Sequence, residues 1–288
     1  MVKVSQFANI IVNLADRIIA SATNNSLKTT YYQNKVIIIT GASSGIGETA
    51  AIKFSKLGAK IVLAARNADK LIEIQNRILS DEQEAFSVKT DVSSKHDVEN
   101  LINKTIEKWG RIDIYISNAG QYIQGQINEI DSRDFQNSFD VNFYGSLYAV
   151  KKLIPIMSSQ KSGHIVFINS LDAKKPIVGD GAYVAAKCAL DGFGEVLRQE
   201  VKKKGIKVLT VYPGRVDTPM VENIKVPKIS EKISPDQVVK AMIKGIQKNK
   251  VIVVVPRILF PLGAFNNLFP KLMDWLYFKF KLEGEKRK

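Results

Sequence analysis

The chain has a single cysteine, Cys188, and two histidines, His96 and His164, among its 288 residues. One thiol excludes an intramolecular disulfide and any cysteine-based metal cluster; it is compatible with a reducing compartment without demonstrating one. Neither histidine has a partner at ligand spacing, so both read as structural or exposed, and no metal is expected. Acidic residues are few beside basic ones: 28 Asp and Glu face 42 Lys and Arg, a formal net charge of +14. Such a balance suits nucleic acid, an anionic membrane surface, a phosphorylated ligand or plain solubility. The lysines run along the whole chain instead of forming one block interleaved with aromatics, which argues against nucleic acid. Internal repeats and low-complexity segments are absent. What is present, 45% apolar residues, is enough for a full core in one large α/β domain or two small ones.

Neither end reads as a membrane span. Residues 2–22 set Phe7, Ile10, Ile11, Leu14 and Ile18 at helical spacing, with Asn9, Asn13, Asp16 and Arg17 toward the other side. Asp16 and Arg17 would each cost about 2.5–3.5 kcal/mol in a bilayer. The same pair interrupts the apolar region that a signal peptide needs. Packing against protein and lying in a membrane interface both remain open for this segment. Residues 22–33 are polar and read as a linker, so 1–33 form an N-terminal extension. At the other end, residues 256–288 crowd Leu259, Phe260, Phe265, Phe269, Trp275 and Phe278 ahead of a lysine-rich terminus. Pro261, Pro270 and Asp274 argue against a span. An interfacial anchor and dimer packing are the two readings, the first favoured.

Between these extensions, residues 34–255 alternate strand and helix. Strands are expected at 35–40, 60–65, 85–88, 112–116, 164–169, 207–212 and 251–255. Helical stripes run through Leu71, Ile74 and Ile78, then Val98, Leu101 and Ile102, then from Phe135 as one long helix up to Pro155. This alternation implies an α/β domain with a parallel sheet and helices on both faces.

Two stretches point to chemistry. After the first strand come Gly41, Ser43, Ser44, Gly45, Ile46 and Gly47, then a helix. Glycines there allow a tight turn and bring free helix amides to an anionic group, as in phosphate cradles. Further on, Ser170 follows a strand, with Tyr183 thirteen residues later and Lys187 four beyond that. A helix over 182–200 puts Tyr183 and Lys187 on one face. An ammonium roughly 4–5 Å from a phenol, at an effective dielectric of about 20, favours phenolate by about 4 kcal/mol. That would draw the phenol from about 10 toward about 7, where it can exchange a proton with an alcohol or carbonyl oxygen.

Together these segments resemble the classical short-chain dehydrogenases/reductases over roughly residues 34–255. Thr40 with the glycine turn is similar to that family's cofactor loop, and Asn118-Ala119-Gly120 to its motif after the fourth strand. Asp140 to Gly145 resembles the helix segment carrying its active-site asparagine, here Asn142. Ser170, Tyr183 and Lys187 stand at the family separations, and Pro213 to Thr218 resembles the loop that contacts the nicotinamide. The resemblance implies a Rossmann-type doubly wound sheet of about seven strands. It implies Tyr183 as general acid/base, Lys187 as the group that tunes it and holds the nicotinamide ribose, Ser170 as the group that positions the substrate oxygen, and Asn142 as the holder of a water. Asp91 and Val92 would border the adenine; Gly41, Ser43, Ser44, Gly45, Ile46, Gly47, Asn118, Ala119, Gly120, Pro213, Gly214, Val216 and Thr218 would line the dinucleotide.

Cofactor choice follows from the second strand. NAD-preferring relatives generally end it with an acidic residue, whereas here Ala65 is followed by Arg66, suited to a 2′-phosphate. NADP(H) is therefore expected over NAD(H). The expected activity is hydride transfer between the nicotinamide and a carbonyl or secondary alcohol, on a small and lipophilic substrate. Residues 218–234 form the expected lid, with Met220, Val221 and Ile224 facing substrate or packing on the domain. The chain is expected in the cytoplasm as a homo-oligomer, with a membrane surface as a further partner. The contrasting reading is a catalytically silent NADP-binding sensor or scaffold on the same fold.

Overall fold

The apolar, β-branched runs become strands of one parallel sheet: β1 (Val36–Thr40), β2 (Lys60–Ala65), β3 (Ala85–Lys89), β4 (Ile114–Ser117), β5 (Gly163–Ile168), β6 (Ile206–Pro213) and β7 (Ile252–Val255). Their order is β3-β2-β1-β4-β5-β6-β7, every neighbouring pair parallel. This is the expected doubly wound sheet. The computed structural model describes residues 29–222, 224–225, 232–280 and 285–286. The expected N-terminal helix lies outside them, as do most of the linker and residues 223 and 226–231 of the expected lid. The chain divides into two units, Met1–Tyr31 and Tyr32–Lys288; of the first, only the short 3-10 turn Thr29–Tyr31 is described.

In the second unit, helices cover both faces of the sheet. These are α1 (Gly45–Ser55), α2 (Ala68–Ser80), α3 (Lys95–Trp109), α4 (Ser132–Phe139), α5 (Gly145–Ser159), α6 (Gly181–Val201), α7 (Pro235–Gln247), α8 (Leu262–Leu268) and α9 (Pro270–Lys279). Alternate residues of a strand point to opposite faces. On one face Ile38, Val62, Tyr115, Ile165 and Phe167 pack with Leu101, Leu153, Leu190 and Leu197 of α3, α5 and α6. α1 and α7 pack together, tied by Lys53 and Asp236 at 2.6 Å. α7 begins on a full capping box, Ser234 with Gln237.

Three details differ from the sequence expectation. The packed core starts before residue 34: Tyr32 is fully buried, sets its ring edge-on to Phe54 at 5.0 Å and donates its hydroxyl proton to the Ile243 carbonyl at 2.7 Å. The expected long helix from Phe135 is continuous but carries a π-turn, Asp140–Tyr144, between α4 and α5. Nor does Pro155 end it, since α5 runs on to Ser159. Pro155 stands on the exposed face of that helix.

Candidate active site

A cleft of about 610 Å³ opens beyond the carboxyl ends of β1, β4, β5 and β6. The order reverses between β1 and β4, the position where open α/β sheets hold ligands. Of the expected residues, Gly41, Ser43, Ser44, Gly45, Ile46, Arg66, Asp91, Val92, Asn118, Ala119, Gly120, Ser170, Tyr183, Lys187, Pro213, Gly214, Val216 and Thr218 line it. Gly47 and Asn142 do not; both lie behind the wall.

Gly47 shows why the turn after β1 needs its sequence. A Cβ there would lie 2.2 Å from the Gly41 carbonyl oxygen and 2.7 Å from the Asn118 amide nitrogen. Gly41 itself has φ +64° and faces the Ala119 backbone. The turn is locked to the end of β4 through Thr40, whose hydroxyl oxygen accepts the amide protons of Asn118 and Ala119 at 3.0 and 3.1 Å. Asn118 returns its side-chain amide to the carbonyl of Thr40 at 2.9 Å. The N-terminus of α1 then faces the cleft. Its cap, Ser44, has no side-chain bond to the helix amides, which leaves them available to an anion. A dinucleotide's phosphates fit this donor set.

Beside it, Arg66 follows β2 as an exposed side chain at the cleft rim, and Asp91 is fixed by the Ser93 hydroxyl and amide at 2.7 and 3.0 Å. Asn142 sits in the π-turn, 1% exposed. Its amide donates to the carbonyls of Gln121 and Ser138 at 2.8 and 2.9 Å, and its oxygen accepts from the Gln121 amide at 3.2 Å. Asn142 thus ties α4 to the loop after β4, and these protein groups engage the side chain expected to hold a water.

At the centre, α6 brings Tyr183 and Lys187 to one wall, as their spacing requires. The ammonium lies 5.7 Å from the phenol ring centroid and donates to the Ile168 carbonyl at 3.0 Å. Here the structure corrects the electrostatics expected from spacing alone. Burial pushes the Tyr183 phenol up instead of down; the Asp172 carboxylate adds to this, the Ser170 hydroxyl opposes it, and Asp180 adds again. Burial also pushes Lys187 down to about 8, partly offset by Asp172. Desolvation of both groups outweighs the attraction between them.

Several cleft residues escaped the sequence reading. Asp172 and Asp180 face it together with Tyr122, Ile177 and Arg215. Tyr122 packs edge-on to Tyr183 at 5.2 Å and donates its hydroxyl proton to Asp180 at 2.5 Å. Burial pushes Asp180 up to about 6. Only Asp180 carried a local signal, as the residue just before the helix that holds Tyr183. His164 is buried, which pushes it down to about 4, and His96 is exposed, so both are structural or exposed as expected. Among the described residues no cluster could hold a metal ion.

Residues 35–228 match the family model for short chain dehydrogenases. The chain is similar to an uncharacterised oxidoreductase of Listeria innocua, 39% identical over 194 residues, which span 67% of this chain and 78% of the relative. Its fold is similar to that of a Burkholderia phymatum short-chain dehydrogenase/reductase solved with NAD, with a TM-score of 0.77, 23% identity, and coverage of 84% of this chain and 96% of the other. It is also similar to an actinorhodin polyketide ketoreductase solved with NADPH, with a TM-score of 0.71, 26% identity, and coverage of 77% and 95%. The turn, the tyrosine–lysine helix and these matches agree: the chain belongs to the short-chain dehydrogenase/reductase family and is an oxidoreductase with a nicotinamide-dinucleotide-binding fold.

Proposed function

We propose that the chain is an NADP(H)-dependent oxidoreductase that acts on the carbonyl or secondary alcohol of a small lipophilic molecule, with Tyr183 as its general acid/base. The observation that carries this reading is the meeting of Ser170, Tyr183 and Lys187 in one cleft with the glycine turn and Arg66. When bound, the nicotinamide supplies or accepts the hydride. Gly41 to Ile46 and the α1 amides would hold the phosphates, Asp91 and Val92 would flank the adenine, and Arg66 would pair with a 2′-phosphate. Ser170 orients the substrate oxygen. Tyr183, kept protonated by burial, gives its phenolic proton to a carbonyl oxygen, which favours reduction as the working direction. Lys187, held near neutral pH in its own titration, passes a proton toward Tyr183 and hydrogen-bonds the ribose.

Ile177, Met220, Val221 and Tyr122 supply apolar surface at the substrate end. Tyr183→Phe keeps the ring and removes the proton. It is expected to retain NADPH affinity by fluorescence titration while ketone reduction falls about 10²–10⁴-fold; unchanged turnover would reject the assignment.

We further propose that the C-terminal segment rests on a membrane surface. Phe260, just before α8, and the helices α8 and α9 expose a run of large apolar side chains, with Phe260 at 66%, Leu268 at 71% and Phe278 at 61%. Arg257, Lys271 and Lys279 lie among them, while Asp274 is paired with Lys175 at 2.6 Å. Apolar bulk with a basic fringe suits an anionic interface. A second copy would bring the same basic fringe against itself, so a homo-oligomer is expected to form through another face. No described helix is long and apolar enough to cross a membrane.

A further inference from the structure

Two residues past the candidate substrate-orienting serine, the chain places an acid that the reading above does not use. The Asp172 amide donates to Ser170 Oγ at 3.1 Å, and the same Oγ lies 3.0 Å from Asp172 Oδ2. A hydroxyl has one proton and two lone pairs. The amide occupies one lone pair, so the carboxyl group decides what is left for a ligand in the cleft. A carboxylate only accepts; it takes the serine proton and leaves Ser170 a single lone pair. A carboxylic acid donates to Ser170 Oγ and frees the serine proton.

We propose that Asp172 is a positioning residue: ionised, it makes the Ser170 hydroxyl an acceptor that suits an alcohol, and protonated, it releases that hydroxyl to donate to a carbonyl. The proposal rests on the oxidoreductase reading and adds a pH-dependent preference of direction to the same site. The groups around Asp172 come from every neighbouring element. Tyr183 and Lys187 stand on α6 and Asp180 at its N-cap; Arg215 follows β6, Tyr122 follows β4, and Tyr277 comes from α9. Burial pushes the Asp172 carboxyl up, and Ser170, Arg215 and Lys187 pull against it. Its protonated form is therefore populated at higher pH than for an exposed aspartate, and falling pH moves the site toward carbonyl recognition.

Infrared difference titration of the full chain tests the coupling without substrate or cofactor. A protonated-carboxyl band assigned to Asp172, by its loss in Asp172→Asn, should titrate above the ordinary aspartate range. In Ser170→Ala it should move to still higher pH, because the ionised form loses a donor. Asp180→Asn should move it to lower pH by removing a like charge. A band that Ser170→Ala leaves in place overturns the proposal. Kinetics provide the second arm, with NADPH and acetophenone for reduction and NADP with 1-phenylethanol for oxidation. In the wild type, reduction should fall and oxidation should rise through the Asp172 titration, and Asp172→Asn should lose both limbs. Limbs that survive in Asp172→Asn count against it. Failure of Tyr183→Phe to lower turnover would reject Tyr183 as the general acid/base and leave the infrared result standing, so the two failures are distinguishable.

Discussion

At the scale of single residues, the environment of a side chain decides more than its identity. Tyr183 and Lys187 are four apart on a helix, and α6 does set them on one wall. Yet burial pushes the phenol up and Lys187 down to about 8, so burial governs both groups and their mutual attraction is the smaller effect. Arg66 is the opposite case: it is exposed, and among the described residues it forms no ion pair. Its guanidinium is free to make charge-assisted hydrogen bonds of about 1.5–3 kcal/mol each. Arg66→Ala is therefore expected to weaken NADPH binding by about 10–100-fold and leave NADH binding nearly unchanged, read by fluorescence titration of both. Equal losses for the two cofactors would remove the 2′-phosphate assignment.

At the scale of elements, the start of β1 hangs on one acid from the approach to β4. Asp113 accepts from the Val36 amide at 2.9 Å and from Arg111 at 3.0 and 2.7 Å, with Lys35 at 3.4 Å. Burial opposes its charge, but Arg111, the Val36 amide and Lys35 together outweigh burial and hold the carboxyl below its usual range. A folded value below the unfolded one means that the stability it supplies is full above about pH 3.9 and fades as pH falls through the folded value. Asp113→Asn should therefore lower unfolding stability by about 1–3 kcal/mol at pH 7. The gap to wild type should close under acid, as read by urea midpoints across pH. A constant gap would assign the loss to shape instead of charge. The π-turn at Asp140–Tyr144 belongs to this scale as well. The phenylalanine stripe from Phe135 reads as a regular helix, and the widened turn coincides with the Asn142 side-chain bonds to the Gln121 and Ser138 carbonyls.

At the scale of the whole molecule, the C-terminal helices join the wall of the cleft to an exposed apolar face. Lys175, 5% exposed, pairs with Asp274 and lies 4.8 Å from the Tyr277 ring centroid, which clamps α9 onto the segment after Ser170. The other side of the helix pair presents Leu268, Trp275 and Phe278 outward. The full chain should float with vesicles containing phosphatidylserine and should be released by salt, each basic residue contributing about 1 kcal/mol. A variant with Phe260, Leu268 and Phe278 changed to serine should stay in solution. Equal flotation of both would count against the tail, and a shift from dimer to monomer in the variant, without vesicle binding, would make this face a subunit contact.

The alternation of strand and helix, the glycine turn and the spacing of Ser170, Tyr183 and Lys187 were all legible in the chain, because strand and helix periodicities and turn chemistry are local properties. These determined the sheet, its ligand-binding edge and most of the cleft lining. Tertiary structure alone decided that Tyr32 joins the core, that Pro155 is accommodated on an exposed face, and that Asp172, Asp180, Tyr122 and Arg215 meet beside Tyr183. Those four come from three separate loops, and the charge states of Asp172, Asp180 and Tyr122 depend on how much water their neighbours exclude, a quantity no stretch of sequence carries by itself.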